Sequence, residues 1–224
     1  MTIVYASVKK PAIKFLLICG VVSSLVYIAA DIFAANFLYP GYSYTAHQVS
    51  ELSAIGAQTR LFWSIMTGVW TPLVIAFAIG VWLSAGRKHF LRTTSVLLVL
   101  FGVIGLSWVL FAPMHLRGTV ALATDTMHIV FAGAQVLTMV LFIALGSGAG
   151  RTRFRIYSIA TIVVMLAFGA LAGTAAPAIA MGQPTPFFGI IERVSVYLPI
   201  IWVMMLAIVL LRAAERSTDV RSTG

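Results

Sequence analysis

The chain is poor in charge, poorer still in acid, and nearly devoid of cysteine. Only 9% of its 224 residues are Asp, Glu, Lys or Arg, and only six are acidic, whereas a soluble domain carries about 25% charged residues. Combined with a hydrophobic content of 61%, this excludes a water-soluble fold of this length, which could not cover so much apolar surface. The single cysteine, Cys19, excludes an intrachain disulfide and leaves the redox compartment unspecified. It lies within an apolar run and reads as a small packing residue, and the large Ile18 before it argues against a lipoprotein anchor. Internal repeats and low-complexity tracts are also missing, so residues 1–224 read as one membrane domain.

What is present is apolar sequence in lengths that suit a bilayer. Six runs stand out, roughly 12–36, 61–84, 93–112, 121–146, 156–178 and 188–211, and each is close to the roughly 20 residues that cross the hydrocarbon core. Backbone polar groups in lipid must be satisfied internally, and the runs lack the alternating polarity of barrel strands, so they are predicted to be helices. The expected fold is therefore all-α, a polytopic six-transmembrane-helix bundle. Lys9, Lys10 and Lys14 ahead of FLLICGVVSSLVYIAA look like the start of a signal peptide. Apolar sequence continuing to about Leu38, with five more such runs behind it, predicts an uncleaved first helix instead.

The net charge of +9 is not gathered into a stripe or a tail, so no nucleic-acid partner is expected. It follows topology. Lys9, Lys10 and Lys14 precede the first helix; Arg87, Lys88 and Arg92 lie in loop 2–3; Arg151, Arg153 and Arg155 lie in loop 4–5; Arg212, Arg216 and Arg221 follow the last helix. The other side has only Arg60, Arg117 and Arg193, so 12 of the 15 basic residues share one side, and the positive-inside rule predicts that this side, with both termini, is cytoplasmic. Trp63 and Trp108 are expected near the outer interface and Trp82 near the inner one. Pro72 and Pro199 fall within helices 2 and 6, where each removes a backbone hydrogen bond. Gly169 and Gly173, at GxxxG spacing with Ala172 and Ala176 beside them, predict close approach of a neighbouring helix, either within the chain or between copies in a homo-oligomer.

Nearly every residue able to do chemistry belongs to the outer loops. Loop 1–2 reads YPGYSYTAHQVSELSAIGAQTR and holds His47, Ser50, Glu51, Ser53 and Arg60. The segment FAPMHLRGTVALATDTMH holds His115, Arg117, Asp125 and His128, and APAIAMGQPTPFFGIIER ends in Glu192 and Arg193. Asp31, near the outer end of helix 1, joins the same layer. A carboxylate within a membrane helix costs about 2.5–3.5 kcal/mol even on the lenient insertion scale, so these acids should face inward and pair. One reading has Asp31, Glu51, Asp125 and Glu192 paired with Arg60, Arg117 and Arg193 merely to hold the helix ends together. A sharper one starts from Asp125 and His128, three residues apart on one helix face, where a carboxylate would orient the imidazole for acid–base work or metal ligation. His115 and Glu51 could complete a zinc site, although no dense metal signature is present and the cofactor is left unassigned. Ser50 or Ser53 could cap a short interfacial helix ended by Gly56; no GxSxG elbow supports Ser50 as a nucleophile. His47 and His89 read as ordinary loop histidines.

The segments YSYTAHQVSELSAIGAQTR, Asp125-Thr-Met-His128 and Gly189-Ile-Ile-Glu192-Arg193 resemble the prokaryotic membrane family filed as domain of unknown function 998, across essentially the whole chain. The Ser50-Glu51-Leu52 core with Gly56 is the most specific element. The resemblance implies a polytopic protein of a prokaryotic plasma membrane and brings no settled activity, cofactor or substrate. Loop 1–2 is also loosely similar to that of eukaryotic membrane proteins linked to lipid-anchor remodelling, an analogy that directs the substrate expectation toward lipids.

The functional expectation is an outward-facing pocket, formed by loop 1–2 and the outer ends of helices 1, 4 and 6, that binds or modifies a membrane lipid or a lipid-linked group. Glu51, Asp125 and His128 would be its polar, and if enzymatic its catalytic, centre. Ser50, Asp31, His115 and Glu192 would line it, with Arg60 and Arg193 on an anionic head group. A small transporter or channel would need polar groups at the bilayer midplane, where the helices offer little beyond Gln135, serines, threonines and two prolines. A purely structural or assembly role is the third class.

Overall fold

The computed structural model describes residues 10–119 and 122–222, without the side chains of Lys10 and of residues 216–222. Lys9, Ala121 and the side chains of Lys10, Arg216 and Arg221, used above, lie outside the described residues. The elements are α1 (Lys10–Phe33), α2 (Arg60–Ser84), α3 (His89–Phe111), α4 (Ala123–Gly146), α5 (Thr152–Gly173), the short α6 (Ala176–Ala180) and α7 (Phe188–Ser222). A single π turn, Ala34–Leu38, extends α1, and Val49–Ser53 forms a 3₁₀ turn in loop 1–2. Six of these helices are long and apolar enough to cross a membrane, which gives the polytopic all-α bundle. Large apolar side chains such as Phe15, Leu25, Ile65, Val96, Leu137 and Ile159 are exposed on its outside, as lipid-facing positions should be.

Two features differ from the sequence expectation. The fifth apolar run continues to 178, but α5 ends at Gly173 and the chain restarts as α6, with Pro177 in its first turn. Proline fits that position because its missing N–H is unpaired there in any helix, and apolarity alone does not register the break. The close approach expected at Gly169 and Gly173 is not made within the chain. A Cβ on Gly169 would meet only Ser195 Cβ, at 4.0 Å, and one on Gly173 would meet open space.

Around the bundle the helices follow the order α4, α3, α2, α1, α7, α5, with each adjacent pair well packed, while α4 meets α5 and α7 sparsely. Where that seam does close, it closes at the end carrying the basic loops. There the fully buried Trp202 of α7 packs against Phe142 of α4 (ring centroids 5.5 Å apart) and Phe154 of α5 (5.7 Å), and its indole N–H donates to Ser158 Oγ at 2.8 Å. Toward the other end the seam loosens. No residue of α4 before Gln135 and none of α5 after Met165 is buried. Phe77, Phe101, Phe142 and Trp202, all essentially inaccessible, fill the core from the middle of the bundle toward the basic loops.

The first and last helices meet at the basic end, where Lys14 Nζ stands 4.0 Å from Glu215 Oε1, and Arg92 lies over the Trp82 ring, 5.4 Å from its centroid. At the opposite end three loops are stitched together by backbone hydrogen bonds. Ile55 N–H donates to Met114 O at 2.8 Å, Gly118 N–H to Ile179 O at 3.1 Å and Ile190 N–H to Thr45 O at 3.3 Å. Gly118 has φ +76°, a conformation that favours glycine, and a Cβ there would stand 3.2 Å from Gly182 Cα.

Candidate functional site

Loop 1–2 folds over the open end of the bundle as a plug, and ionic clusters hold it there. The deepest joins α1 to α7. Asp31 is fully inaccessible and Arg193 is 3% exposed; Arg193 Nε donates to Asp31 Oδ2 at 2.8 Å and Nη2 to Oδ1 at 2.9 Å, the two-pronged geometry that makes arginine–carboxylate pairs strong. Its remaining N–H groups reach Tyr44 O (2.8 Å), His47 O (3.0 Å), Gly189 O (3.2 Å) and Tyr42 Oη (2.7 Å). The guanidinium has five donors, and all are used. Tyr197 donates to Asp31 Oδ2 and shares a 2.9 Å hydrogen bond with Tyr44, whose ring centroid lies 3.8 Å from the Arg193 guanidinium carbon. Gly189 permits this arrangement, because a side chain there would run into the backbone carbonyls of Tyr44 and His47.

The second cluster staples loop 1–2 to the other two loops. Glu51, 3% exposed, receives Arg117 Nε at 3.1 Å and Nη2 at 2.5 Å, and its Oε1 also accepts the Gln48 N–H at 3.3 Å. Arg117 Nη1 reaches Thr185 Oγ1 at 3.1 Å, and Thr185 donates to Ala46 O at 3.0 Å. The expected cap of the short turn by Ser50 or Ser53 gives way to Gln48 at the cap position, tied back by Glu51, and Gly56 ends the segment at φ +93°. His47 Nδ1 accepts the Ser43 N–H at 3.2 Å, so that nitrogen keeps its lone pair. Burial is the chief cause that lowers the His47 pKa; Arg117 and Arg193 lower it further, against a rise from Glu51.

The third cluster rearranges the expected dyad. Asp125 turns from His128 to His115, accepting its N–H at 2.8 Å and meeting its Nδ1 at 2.9 Å, and also accepts the Leu122 N–H at 2.8 Å. A carboxylate at the third position of a helix is well placed to take those free N–H groups, which outcompetes the i,i+3 imidazole. His128 instead has Trp108 Nε1 at 2.7 Å and Ala112 O at 2.9 Å, both from Nδ1. Indole only donates and carbonyl only accepts, so one nitrogen serves one of them at a time. Glu51, Asp125 and His128 therefore do not converge. Among the described residues no three His, Cys, Asp or Glu side chains are grouped so as to hold a metal ion.

Beneath the plug lies a cavity of about 120 Å³ that reaches from the 3₁₀ turn to mid-bundle, between α4 on one side and α7 on the other. Five aromatic side chains, Tyr27, Trp63, Trp70, Phe101 and Trp108, stand in its wall. The polar residues that line it are Ser50, Ser53, Thr67, His128, Gln135 and Glu192. Ser53 donates to Ser50 O at 3.0 Å and Thr67 to Trp63 O at 2.9 Å, but unlike the clusters above, Glu192 and Gln135 are incompletely answered. Glu192 Oε2 accepts the Val49 N–H at 2.5 Å, and no other hydrogen bond or ion pair to its carboxylate occurs among the described residues. Gln135, 5% exposed, donates to Phe101 O at 3.3 Å and leaves Oε1 buried without a partner. A second hollow of about 220 Å³, under loop 3–4 and α6, is lined by His115, Arg117, Asp125 and His128 among others, so His128 borders both.

The residues anticipated from sequence thus divide. Asp31, Glu51, Arg193, Asp125 and His115 are consumed in closed pairs; Ser50, His128 and Glu192 face the cavity; Arg60 starts α2, half-buried and away from both hollows, with no ion pair among the described residues. Sequence reasoning had not singled out Tyr42, Tyr44, Tyr197 or Thr185, and of the aromatic wall it had named only Trp63 and Trp108, as residues of the outer interface. The dense YPGYSY run and the isolated Gln135 were the available signals.

No curated protein and no solved structure matches the chain. The sequence profile of the family described as protein of unknown function (DUF998) matches residues 21–209, more than four-fifths of the chain and at least part of every membrane-crossing helix. The chain belongs to the DUF998 family.

Proposed function

We propose that this is a membrane-embedded binding protein whose cavity receives a lipid or lipid-linked group through the loosened seam between α4 and α7, at the end away from the basic loops. The carrying observation is the coincidence of two features in one half of the bundle: a cavity with unanswered polar groups, and a seam left unpacked by α4 before Gln135 and α5 after Met165. Bilayer lipid is the ligand source such a lateral opening meets. The charge distribution supports a cytoplasmic basic end, so the cavity belongs to the outer leaflet of a prokaryotic plasma membrane. Arg193 has no donor left for an anionic head group, which moves the centre of recognition from the arginines to Glu192, Gln135 and His128. Transport is the weaker reading, because Phe77, Phe142 and Trp202 fill the half toward the basic loops.

The test is mass spectrometry of lipid retained by the purified full chain after detergent exchange, with wild type and a Val196→Phe variant that places a ring in the cavity. The expected result is a retained lipid enriched over the bulk membrane composition in wild type and lost in Val196→Phe at unchanged thermal stability. No enrichment in wild type, or equal retention in both proteins, would overturn the proposal.

A further inference from the structure

The unanswered groups also bear on which chemistry the cavity selects, an inference that rests on the cavity being a binding site. In the outer layer Asp31 is answered by Arg193 and Glu51 by Arg117, and Asp125 by His115 and two backbone N–H groups. Glu192 is the remaining acid of that layer, and it has only the Val49 N–H. An uncompensated carboxylate in a membrane interior is expensive, and a cation delivered by a ligand removes that penalty. No Lys or Arg lines the cavity.

The wall carries the same preference. Three indoles, one phenol and one phenyl ring border the space that Glu192 faces. Tyr27 packs against Trp63 and Trp70 with ring centroids 5.7 Å apart in each case, and Trp70 against Phe101 at 5.2 Å, so four of the rings are joined in one cluster, while Trp108 packs on His128 at 4.7 Å. Aromatic rings attract cations through their quadrupoles, tryptophan most strongly, and rings grouped around one space recognise ammonium groups that are too bulky or too methylated to be held by hydrogen bonds alone. The buried Gln135 Oε1, without a partner, offers an acceptor to an N–H or O–H of the same ligand. Size is compatible as well: a volume of about 120 Å³ admits an ethanolammonium or trimethylammonium group.

We infer that the cavity is a site for an organic ammonium group, held by Glu192 and the ring wall of Tyr27, Trp63, Trp70, Phe101 and Trp108. The ammonium can belong to a phospholipid head or to a free amine; the chemistry of recognition is shared.

Calorimetric titration of the purified full chain in detergent tests this with choline, ethanolammonium and the uncharged choline isostere 3,3-dimethylbutan-1-ol. Saturable binding of choline or ethanolammonium is expected, with the neutral isostere weaker by about tenfold or more, as loss of a desolvated cation–π and charge contribution implies. Glu192→Gln keeps an acceptor for the Val49 N–H and should weaken the cations by a similar factor while leaving the isostere unchanged. Equal affinity for choline and its isostere in wild type would mean that Glu192 acts as a neutral group, and would overturn the inference without any variant. So would unchanged choline binding in Glu192→Gln. In nanodiscs of mixed phosphatidylethanolamine and phosphatidylglycerol, preferential retention of the ammonium lipid identifies a head group as the source, and choline binding without lipid preference identifies a free amine; both support the site. Preferential retention of phosphatidylglycerol contradicts it. Choline binding without lipid retention would sink the lipid reading alone, and lipid retention without discrimination against the neutral isostere would sink the ammonium assignment alone.

Discussion

The loop brace and the cavity beneath it are neighbours built from the same residue types, and they treat polar groups in opposite ways. In the brace every donor of Arg193 is used and both oxygens of Asp31 and Glu51 are taken. In the cavity Glu192 and Gln135 each keep an oxygen that no described residue answers. Buried polar groups are nearly always satisfied, so a satisfied network reads as structure and an unsatisfied group beside open space reads as a place for something else. A list of ionisable residues does not separate the two. Their hydrogen-bond accounts do.

Substitutions that attack the brace should have the largest effects. Asp31→Asn strands the Arg193 charge in a dry interior, and breaking a buried pair from one side costs about 3–5 kcal/mol. At about 2–4 °C per kcal/mol for a chain of this size, thermal unfolding in detergent should fall by roughly 10 °C. Glu51→Gln removes one charge from a pair whose Arg117 keeps Thr185 and Ala46 as partners, so a smaller loss of about 2 kcal/mol is expected, together with faster proteolysis within loop 1–2. Gly189→Ala pushes a methyl group toward the Tyr44 and His47 carbonyls; overpacking of this kind costs about 1–3 kcal/mol and should loosen the same loop with every charge intact.

Acidification should have the smallest effect on the brace. Burial lowers the His47 pKa from its ordinary value, so the folded loop favours the neutral ring and the unfolded chain binds the proton more readily. That contribution is present above about pH 6.5 and is lost as pH falls below it toward the depressed folded value. The protection factors of loop 1–2 in hydrogen exchange, which take out the intrinsic pH dependence of amide exchange, should therefore fall between pH 7.5 and 5.5, less so in His47→Gln.

The sequence carried the bundle well, because six apolar runs separated by basic and polar loops leave few alternatives once lipid is the solvent. It failed where the deciding interaction was not local. Asp125 and His128 share a helix face, yet Asp125 serves the Leu122 N–H at the start of α4 and the backbone N–H and imidazole of His115 in the loop, and the spacing of two residues on a helix says nothing of those competitors. Arg193 suggested an anion clamp; that its donors are exhausted depends on Asp31, 162 positions away, and on loop carbonyls placed by Gly189. Glu192 was legible as an inward-facing acid, but its cavity needs α1, α2, α3, α4 and α7 together, a convergence no segment contains. The end of α5 was missed for a simpler reason, since Ala-Pro-Ala-Ile-Ala is as apolar as the helix before it.

The most direct measurement sets Glu192→Gln beside Asp31→Asn in thermal unfolding of the purified chain without added ligand. Both remove one carboxylate from the interior. If the brace holds the fold and the cavity awaits a ligand, Asp31→Asn unfolds roughly 10 °C earlier, while Glu192→Gln unfolds at or above the wild-type temperature. A Glu192→Gln protein as unstable as Asp31→Asn would contradict this division and make Glu192 one more strut of the brace.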